Sequence, residues 1–141
     1  MTQLAIDASV IVAFALDTDE FHGESARFLD YIIDRRVNLV SPGLLLIESA
    51  CAIARRTRSE SLARAATTTL LKNERLVLDT PESTERLMET IDIGLRTGLK
   101  GADAIYAATA ERYDVPLVTW DRELIARAGA ITPTDWLALR T

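Results

Sequence analysis

Four acidic residues stand where the surrounding sequence predicts burial or the end of a strand. They are Asp7 in LAID, Glu48 in LLLIESACAIA, Asp103 in KGADAIYAATA and Asp121 directly after PLVTW. Two carboxylates about 4 Å apart repel each other by roughly 4 kcal/mol at an effective dielectric constant of 20, so such a cluster needs protonation, separation or a cation. Mg²⁺ and Mn²⁺ prefer oxygen ligands and leave positions for water and phosphate, as metal-assisted phosphodiester cleavage requires. The residue types therefore suggest a divalent-metal site, provided that the four acids meet in the fold.

Each acid, taken singly, also has an ordinary structural explanation. Asp7 and Asp121 precede predicted helices and can cap their first turns. Asp103 stands in a first turn, where the helix dipole favours a carboxylate. Glu48 is harder to explain, because its neighbours three and four residues away are Leu, Cys and Ala; a salt bridge to an arginine would satisfy it. The metal-site hypothesis therefore depends on the four acids acting together.

The elements that must position these acids alternate between short apolar runs and longer helical repeats. This alternation predicts βαβ units and an α/β fold with a mainly parallel central sheet. Strands are predicted at 4–6, 37–40, 76–78 and 116–119, with a weaker one at 130–132. Helices are predicted at 8–16, 22–35, 42–57, 59–73, 81–97, 101–113, 121–128 and 133–139. Asp7 and Asp121 then lie at the C-terminal ends of strands, where parallel sheets conventionally present functional groups.

Three helix starts are signalled by a hydroxyl residue followed by proline. These are Ser41-Pro42, Thr80-Pro81 and Thr132-Pro133, the last reinforced by Asp135. The arginine-rich segment RRTRSESLAR, residues 55–64, is either a turn between two helices or a continuous bend. It is interpreted mainly as a solvated helical face, with contact between Arg55, Arg56 or Arg58 and RNA phosphates or a partner as the alternative.

Composition is typical of one ordinary folded domain, predicted to span residues 1–141. The chain has 48% hydrophobic and 26% charged residues and a net charge of −5, which argues against a protein that coats nucleic acid through a basic surface but does not exclude a nuclease. Its only cysteine, Cys51, excludes an internal disulfide and is expected to be an inert core thiol. Neither a membrane span nor a signal peptide is apparent, so a cytoplasmic location is expected.

In the order and setting of its acids, the chain resembles the PIN-domain nucleases, and within them the VapC-type toxins of toxin–antitoxin pairs. The matching segments are LAIDASV with Asp7 and Ser9, LLLIESACAI with Glu48, KGADAIYAATA with Asp103, and VPLVTWDREL with Thr119 and Asp121. The last two segments carry the most specific part of the resemblance. It extends over essentially the whole chain and implies a three-layer α/β/α PIN-like domain with the acids at the C-terminal edge of the sheet.

The resemblance further implies that the four acids hold one or two Mg²⁺ or Mn²⁺ ions, directly or through water. A water activated by the metal would attack the phosphorus of an RNA substrate in line, leaving 5′-phosphate and 3′-hydroxyl ends. A cognate antitoxin and a homodimeric state are implied as partners. Ser9 would support a site carboxylate or the phosphate, with capping of the first helix as the alternative. Thr119 has a similar supporting role in relatives, although an ordinary β-branched strand residue is the favoured interpretation.

The remaining polar and aromatic residues receive structural interpretations. Glu123 is expected to be a surface residue favoured by the helix dipole, with a further acid near the metal as the alternative. His22 is expected at the surface or at a helix start. Trp120 and Trp136 are expected to pack within the protein rather than to stack on bases.

Three other functions remain open at this stage. An RNA-processing nuclease without an antitoxin would use the same residues. A non-catalytic binding module with the same fold is disfavoured by the intact set of four acids. A phosphotransferase with Asp7 as nucleophile is disfavoured because such enzymes require a second aspartate where this chain has Ser9.

Overall fold

A parallel four-stranded sheet forms the centre of the protein. The computed structural model describes residues 2–80 and 83–140. The strands are β1 (Gln3–Ile6), β2 (Asn38–Pro42), β3 (Leu76–Asp79) and β4 (Leu117–Val118). Their order across the sheet is β3-β2-β1-β4, and every pairing is parallel. The predicted α/β class with a central parallel sheet is therefore confirmed.

Helices cover both faces of this sheet and give a three-layer α/β/α arrangement. α5 and α6 pack together, and α6 lies against β1 and β2; α1, α2 and α3 form a second group, in which α3 contacts β2 and α4 packs on α3. Within the described residues the helices are α1 (Ala8–Ala15), α2 (His22–Asp34), α3 (Leu44–Thr57), α4 (Glu60–Lys72), α5 (Thr84–Thr97), α6 (Gly101–Tyr113), α7 (Arg122–Ala128) and α8 (Pro133–Ala138).

The core is built around β1 and the alanine-rich α6. Leu4, Ala5 and Ile6 of β1 are at most 1% exposed, as expected for a strand covered on both faces. Six residues of α6 between Ala104 and Ala110 are buried. Small side chains allow this helix to approach its neighbours closely; the Cβ of Ala104 lies 3.4 Å from the position of a Cβ on Gly94 of α5. The first turn of α6, which carries Asp103, is therefore firmly positioned beside the sheet.

One of the three predicted helix starts is confirmed and two are wrong. Thr132 caps α8, its hydroxyl accepting the backbone N–H of Asp135 at 3.1 Å. Ser41 instead belongs to β2 and donates its hydroxyl to the Ile6 carbonyl at 2.8 Å, so that the strand continues through Pro42 and α3 begins at Leu44.

The start of α5 also differs from the prediction. Ser83, rather than Thr80, caps this helix, because the Ser83 hydroxyl accepts the N–H of Arg86 at 3.2 Å. The predicted first helical proline, Pro81, lies outside the described residues. The cap of α5 is thus the next hydroxyl residue along the sequence after Thr80.

The single cysteine is not a core residue. Cys51 is exposed, because α3 buries Leu45, Ser49 and Ile53 and these residues follow one another at four-residue intervals. Cys51 lies about 200° around the helix from Ser49 and so faces outward. The prediction of a buried thiol was wrong because the apolar residues around Cys51 extend around more of α3 than the one side of the helix that is buried.

Two ambiguous segments are resolved by the backbone. Residues 130–132 form only an isolated parallel bridge between Ile131 and Val118 rather than a strand, although Ile131 N–H donates to the Leu117 carbonyl at 2.9 Å. The arginine-rich segment is a turn between two helices. Arg58 ends α3 in the left-handed conformation (φ 55°), and the Ser59 hydroxyl caps α4.

The described part of the chain contains no helix that combines the length and the hydropathy needed to cross a membrane.

Candidate active site

Asp7 lies at the centre of the candidate site, at the C-terminal end of β1. It occupies the N-cap position of α1, but its carboxylate makes no capping hydrogen bond. Instead, Oδ1 accepts the hydroxyl of Ser9 at 2.6 Å. Asp7 is only 6% exposed, so its carboxylate is held in a region of low dielectric. The simple capping explanation for Asp7 therefore does not account for its side chain.

A network of hydroxyl groups ties Asp7 to the end of β4. Ser9 Oγ lies 3.2 Å from Thr119 Oγ1 and accepts the backbone N–H of Trp120 at 3.0 Å. Thr119 Oγ1 in turn accepts the N–H of Asp121 at 2.9 Å, and Thr119 is fully buried. Ser9 therefore does not cap α1, and Thr119 is more than a β-branched strand residue. The hydrogen bonds of both hydroxyl groups fix the position of Asp7 relative to Asp121.

Glu48 lies on α3 and accepts a hydrogen bond from a tyrosine of α6. The hydroxyl of Tyr106 on α6 donates to Glu48 Oε1 at 2.7 Å, and Tyr106 is 2% exposed. The salt bridge to arginine considered for Glu48 is not formed in the described structure; a neutral phenol takes its place. Burial, followed by the hydrogen bond and charge of Glu48, raises the pKa of Tyr106 well above its ordinary range, so the phenol stays protonated and donates.

Asp121 and Asp103 complete the group. Asp121 is the N-cap of α7, and its Oδ1 accepts the N–H groups of Glu123 at 2.8 Å and Leu124 at 3.1 Å. Asp103 is half-buried in the first turn of α6, as predicted. The capping explanation is thus correct for Asp121, and its carboxylate serves the helix while facing the other acids.

Electrostatic coupling shows that the four acids share one region. Burial raises the pKa of Asp7 from 3.8 to about 7; hydrogen bonds from Ser9 and Thr119 oppose the shift, and the charges of Asp121 and Asp103 add to it. Burial also raises the pKa of Asp103, with further contributions from Asp121 and Glu48. Each acid thus interacts with at least one other across the site. Lys100 opposes part of this shift at Asp103.

The donor set suits a hard divalent cation that retains water. All four groups offer carboxylate oxygens, and a bound cation would offset both the burial and the neighbouring charges that raise the pKa of Asp7. Within residues 2–80 and 83–140, no three or more His, Cys, Asp or Glu side chains are placed so that together they could hold a metal ion. Mg²⁺ is commonly held by one or two carboxylates, with waters and substrate phosphate completing its octahedron, so an open group of acids fits it.

A second buried acid was missed by sequence reasoning. Asp79 ends β3, as Asp7 ends β1, and is also 6% exposed. Arg86 Nη2 donates to both of its carboxylate oxygens at 2.6 and 2.9 Å, and Arg112 Nη1 donates to Oδ2 at 2.8 Å. Tyr113 OH contacts Oδ1 at 3.4 Å. LVLD, like LAID, places an aspartate after a short apolar run. At Asp79, however, the fold brings the guanidinium groups of Arg86 and Arg112 against the carboxylate.

The arginine-rich segment lies on the surface. Arg56 pairs with Asp19 at 2.8 Å, and Arg64 pairs with Glu60 at 2.7 Å. Arg55 and Arg58 are exposed. Contact of these arginines with RNA or a partner stays a prediction.

The residues given structural interpretations behave as expected. Trp136 is 1% exposed and packs edge-to-face on Phe28. Trp120 stacks on Phe21 with ring centroids 4.2 Å apart and donates its indole N–H to Ser25 at 2.8 Å. His22 is the first residue of α2. Glu123 is exposed and pairs with Arg127 one turn along α7, although its charge reaches Asp103.

A cavity in the described structure lies away from the acid cluster. It has a volume of about 390 Å³ and lies between α5, α6 and α7, with Arg96, Glu111 and Arg127 on its wall. Its lining includes Pro116 and Leu117 at the N-terminal start of β4, whereas the acids follow the C-terminal ends of the strands.

Comparisons with known proteins agree with this geometry. A crystal structure of PAE2754 from Pyrobaculum aerophilum superimposes with a TM-score of 0.71 at 26% sequence identity, covering 98% of this chain and 94% of the other. Mycobacterium tuberculosis VapC20, described as a sarcin–ricin loop cleaving toxin, gives a TM-score of 0.71 at 16% identity, covering 87% of this chain and 93% of the other. VapBC2 from Rickettsia felis, solved with a promoter DNA fragment, gives 0.66 at 12% identity, covering 93% and 97%.

The search of curated protein sequences gave no significant match. The family comparison is decisive, because the PIN domain model matches residues 4–130. That match contains all four acids, Ser9 and Thr119. The chain therefore belongs to the PIN domain family.

Proposed function

We propose that this protein is a Mg²⁺- or Mn²⁺-dependent endoribonuclease and the toxin of a toxin–antitoxin pair. PIN domains are nucleases, and the family assignment supports that general activity. The observation that supports the finer proposal is the buried carboxylate of Asp7 at the end of β1, where burial raises its pKa to about 7 and the charges of Asp121 and Asp103 add to the shift. Such a group is costly to a fold unless a bound cation and its substrate use it.

In this proposal the four acids, Asp7, Glu48, Asp103 and Asp121, hold one or two divalent ions directly or through water. When bound, such an ion lowers the pKa of water and offsets the charge that develops on the phosphoryl oxygens. The reaction forms a bond from the water oxygen to phosphorus and breaks the bond from phosphorus to the 3′ oxygen. The products carry 5′-phosphate and 3′-hydroxyl ends.

Ser9 and Thr119 have supporting roles. The Ser9 hydroxyl donates to Asp7 Oδ1, and Thr119 Oγ1 holds the backbone of Asp121. These bonds keep two acids from separate strand ends at a fixed distance while their mutual repulsion pushes them apart. Loss of either hydroxyl is expected to loosen the site without removing a charge.

RNA binding has to overcome the net charge of −5, so local positive groups matter. Arg55 and Arg58 are exposed at the end of α3, the helix that carries Glu48. We assign to them contacts with RNA phosphates or with the antitoxin. Arg56 is a weaker candidate for this role because it already pairs with Asp19.

The partner assignment is supported by the similar structures. Solved structures similar in fold include VapBC2, FitAcB from Neisseria gonorrhoeae and a toxin–antitoxin complex from Klebsiella pneumoniae. We therefore propose a cognate antitoxin, a homodimeric state and a cytoplasmic location for this protein.

The decisive experiment is incubation of total cellular RNA with the purified protein, with and without Mg²⁺ or Mn²⁺, followed by sequencing of the new ends. Cleavage is expected only with metal, with 5′-phosphates at the new ends. Asp103→Ala should abolish cleavage, whereas Asp30→Asn, which alters an exposed aspartate of α2, should cleave like the wild type. Cleavage that persists in EDTA or in Asp103→Ala would refute the proposal.

The toxin assignment needs a separate test in cells. Induced expression should arrest growth, and Asp7→Asn should relieve the arrest. Growth arrest that persists with Asp7→Asn would remove the toxin assignment while leaving the nuclease activity to be judged by the RNA experiment.

A further inference from the structure

Tyr106 donates its hydroxyl to one of the four acids and lies close to a second. Its ring is among the largest fully buried side chains of the protein, and its hydroxyl donates to Glu48 Oε1 at 2.7 Å. It lies on α6 three residues after Asp103, on the same side of that helix. The backbone of Ala8 and the charge of Asp7 also act on this hydroxyl. Tyr106 therefore spans the space between the end of β1 and α3.

Glu48 has little else to fix its orientation. It is a half-exposed side chain with several rotatable bonds, on a helix whose neighbouring residue Ile47 is 63% exposed. A flexible glutamate repelled by nearby acids would turn toward solvent. The phenol of Tyr106 is rigid and buried, so its hydroxyl gives Oε1 a fixed anchor.

We propose that Tyr106 is a positioning residue that holds the Glu48 carboxylate in the acid cluster so that Glu48 Oε2 is left to bind a cation. This inference rests on the proposed metal-dependent function. Groups that orient metal ligands through hydrogen bonds contribute strongly to metal affinity, and their loss typically weakens binding by about 10- to 100-fold.

The chemical nature of the anchor matters as much as its position. Arginine or lysine would hold Glu48 equally well but would neutralise it and compete with a metal ion. Asp79 is an example, because Arg86 and Arg112 donate hydrogen bonds to its carboxylate oxygens and neutralise its charge. A phenol donates one hydrogen bond and adds no charge, so the cluster remains negative and one oxygen of Glu48 remains available.

The test is isothermal titration of Mn²⁺ alone into the full-length wild type, Tyr106→Phe and Tyr113→Phe. Tyr113 is a matched control because it lies on the same helix and its hydroxyl also contacts a buried carboxylate, Asp79, at 3.4 Å. Tyr106→Phe should raise the Mn²⁺ Kd about tenfold, whereas Tyr113→Phe should leave it within about twofold. Thermal unfolding without metal establishes that both variants are folded.

Two further measurements separate positioning from general loosening. In RNA cleavage, Tyr106→Phe should lower kcat while KM stays near the wild-type value. In a Glu48→Gln background, Tyr106→Phe should weaken Mn²⁺ binding no further, because the anchored charge is already gone.

The outcomes distinguish this inference from the proposed function. Wild-type Mn²⁺ affinity in Tyr106→Phe, or equal weakening in Tyr113→Phe, would overturn the role of Tyr106 and leave the metal-dependent nuclease intact. Absence of Mn²⁺ binding by the folded wild type would overturn both.

Discussion

Asp7 and Asp79 are two buried aspartates with opposite surroundings. Each ends a strand of the same parallel sheet, and each is 6% exposed. Asp79 is met by the guanidinium groups of Arg86 and Arg112. Asp7 is met by Ser9 and by the repulsion of Asp103 and Asp121. Equal burial therefore produces an internally neutralised ion network in one place and an unbalanced negative centre in the other.

In the proposed function, this difference separates a structural acid, Asp79, from a metal-binding one, Asp7. Asp79 joins β3 to α5 and α6, so its charge contributes to the assembly of three elements. Asp7 joins β1 to the segment after β4 only through hydroxyl groups. A buried charge persists where an ion pair or a ligand compensates it. The compensation for Asp79 is built into the chain, whereas a proton compensates Asp7 below about pH 7 and, in the proposed function, a bound cation does so above it.

The largest effect is expected from pH on the metal-free protein. Folded Asp7 keeps its proton up to about pH 7, whereas unfolded Asp7 releases it near 3.8, so the folded state binds more protons between these values. Raising the pH from about 4 to about 7 should therefore lower the Asp7 contribution to stability by ~3 kcal/mol.

This contribution is measured as the difference between the wild type and Asp7→Asn, by urea unfolding in EDTA across that pH range. Asp7→Asn should be the more stable of the two at pH 7, and the gap should close toward pH 4. If the free energies of unfolding of the two proteins change in parallel with pH, folding does not raise the pKa of Asp7.

Asp79→Asn should have the opposite effect. Removing the carboxylate leaves Arg86 and Arg112 without their partner, and breaking a buried ion pair typically costs 3–5 kcal/mol; because both arginines keep some exposure, we expect about 3 kcal/mol. Urea unfolding at pH 7 measures it, with the exposed Asp92→Asn as a control expected within about 0.5 kcal/mol. A stability equal to the wild type would remove the contrast between the two aspartates.

Added Mn²⁺ should act on one acid site and not on the other. At a hundred times its Kd, a ligand that binds only the folded state stabilises it by about 2.7 kcal/mol. Wild type and Asp79→Asn should both gain this increment in urea unfolding, whereas Asp7→Asn should gain much less. An equal gain in all three proteins would place metal binding away from Asp7.

The smallest effect is expected from an exposed ion pair. Glu60 and Arg64 pair at 2.7 Å on α4, but both side chains are 77% exposed. Water screens such a pair, so Glu60→Gln should change the free energy of unfolding by less than about 0.5 kcal/mol. A loss close to that of Asp79→Asn would mean that burial does not govern the strength of these pairs.

Much of the fold was predictable from local patterns. The strand and helix positions follow from apolar periodicity, and Thr132 with Pro133 correctly marks the start of α8. The same signal failed at Ser41, because its hydroxyl was drawn into the sheet by the Ile6 carbonyl. The prediction that Cys51 is buried failed for a similar reason. Its local sequence is apolar, but the packing of α3 decides which side of the helix is buried.

The four acids and the supporting hydroxyl residues Ser9 and Thr119 could be named as candidates from the sequence, but the role proposed for Tyr106 could not. Asp7, Glu48, Asp103 and Asp121 stood out because acids are unusual in apolar or strand-end settings. Tyr106 gave only a weak signal, as a hydroxyl-bearing aromatic three residues after Asp103 in an alanine-rich helix. Its partner is 58 residues away, and no local pattern specifies such a contact.

The sequence by itself determined that apolar strands end in aspartate twice, in LAID and in LVLD. The tertiary structure alone decided which aspartate received arginines and which received other acids. Hydrophobic periodicity is a local property, so it sets the strands and their ends. Charge compensation depends on groups brought together over long separations, such as Arg112 with Asp79, and therefore arises only when the helices have packed on the sheet.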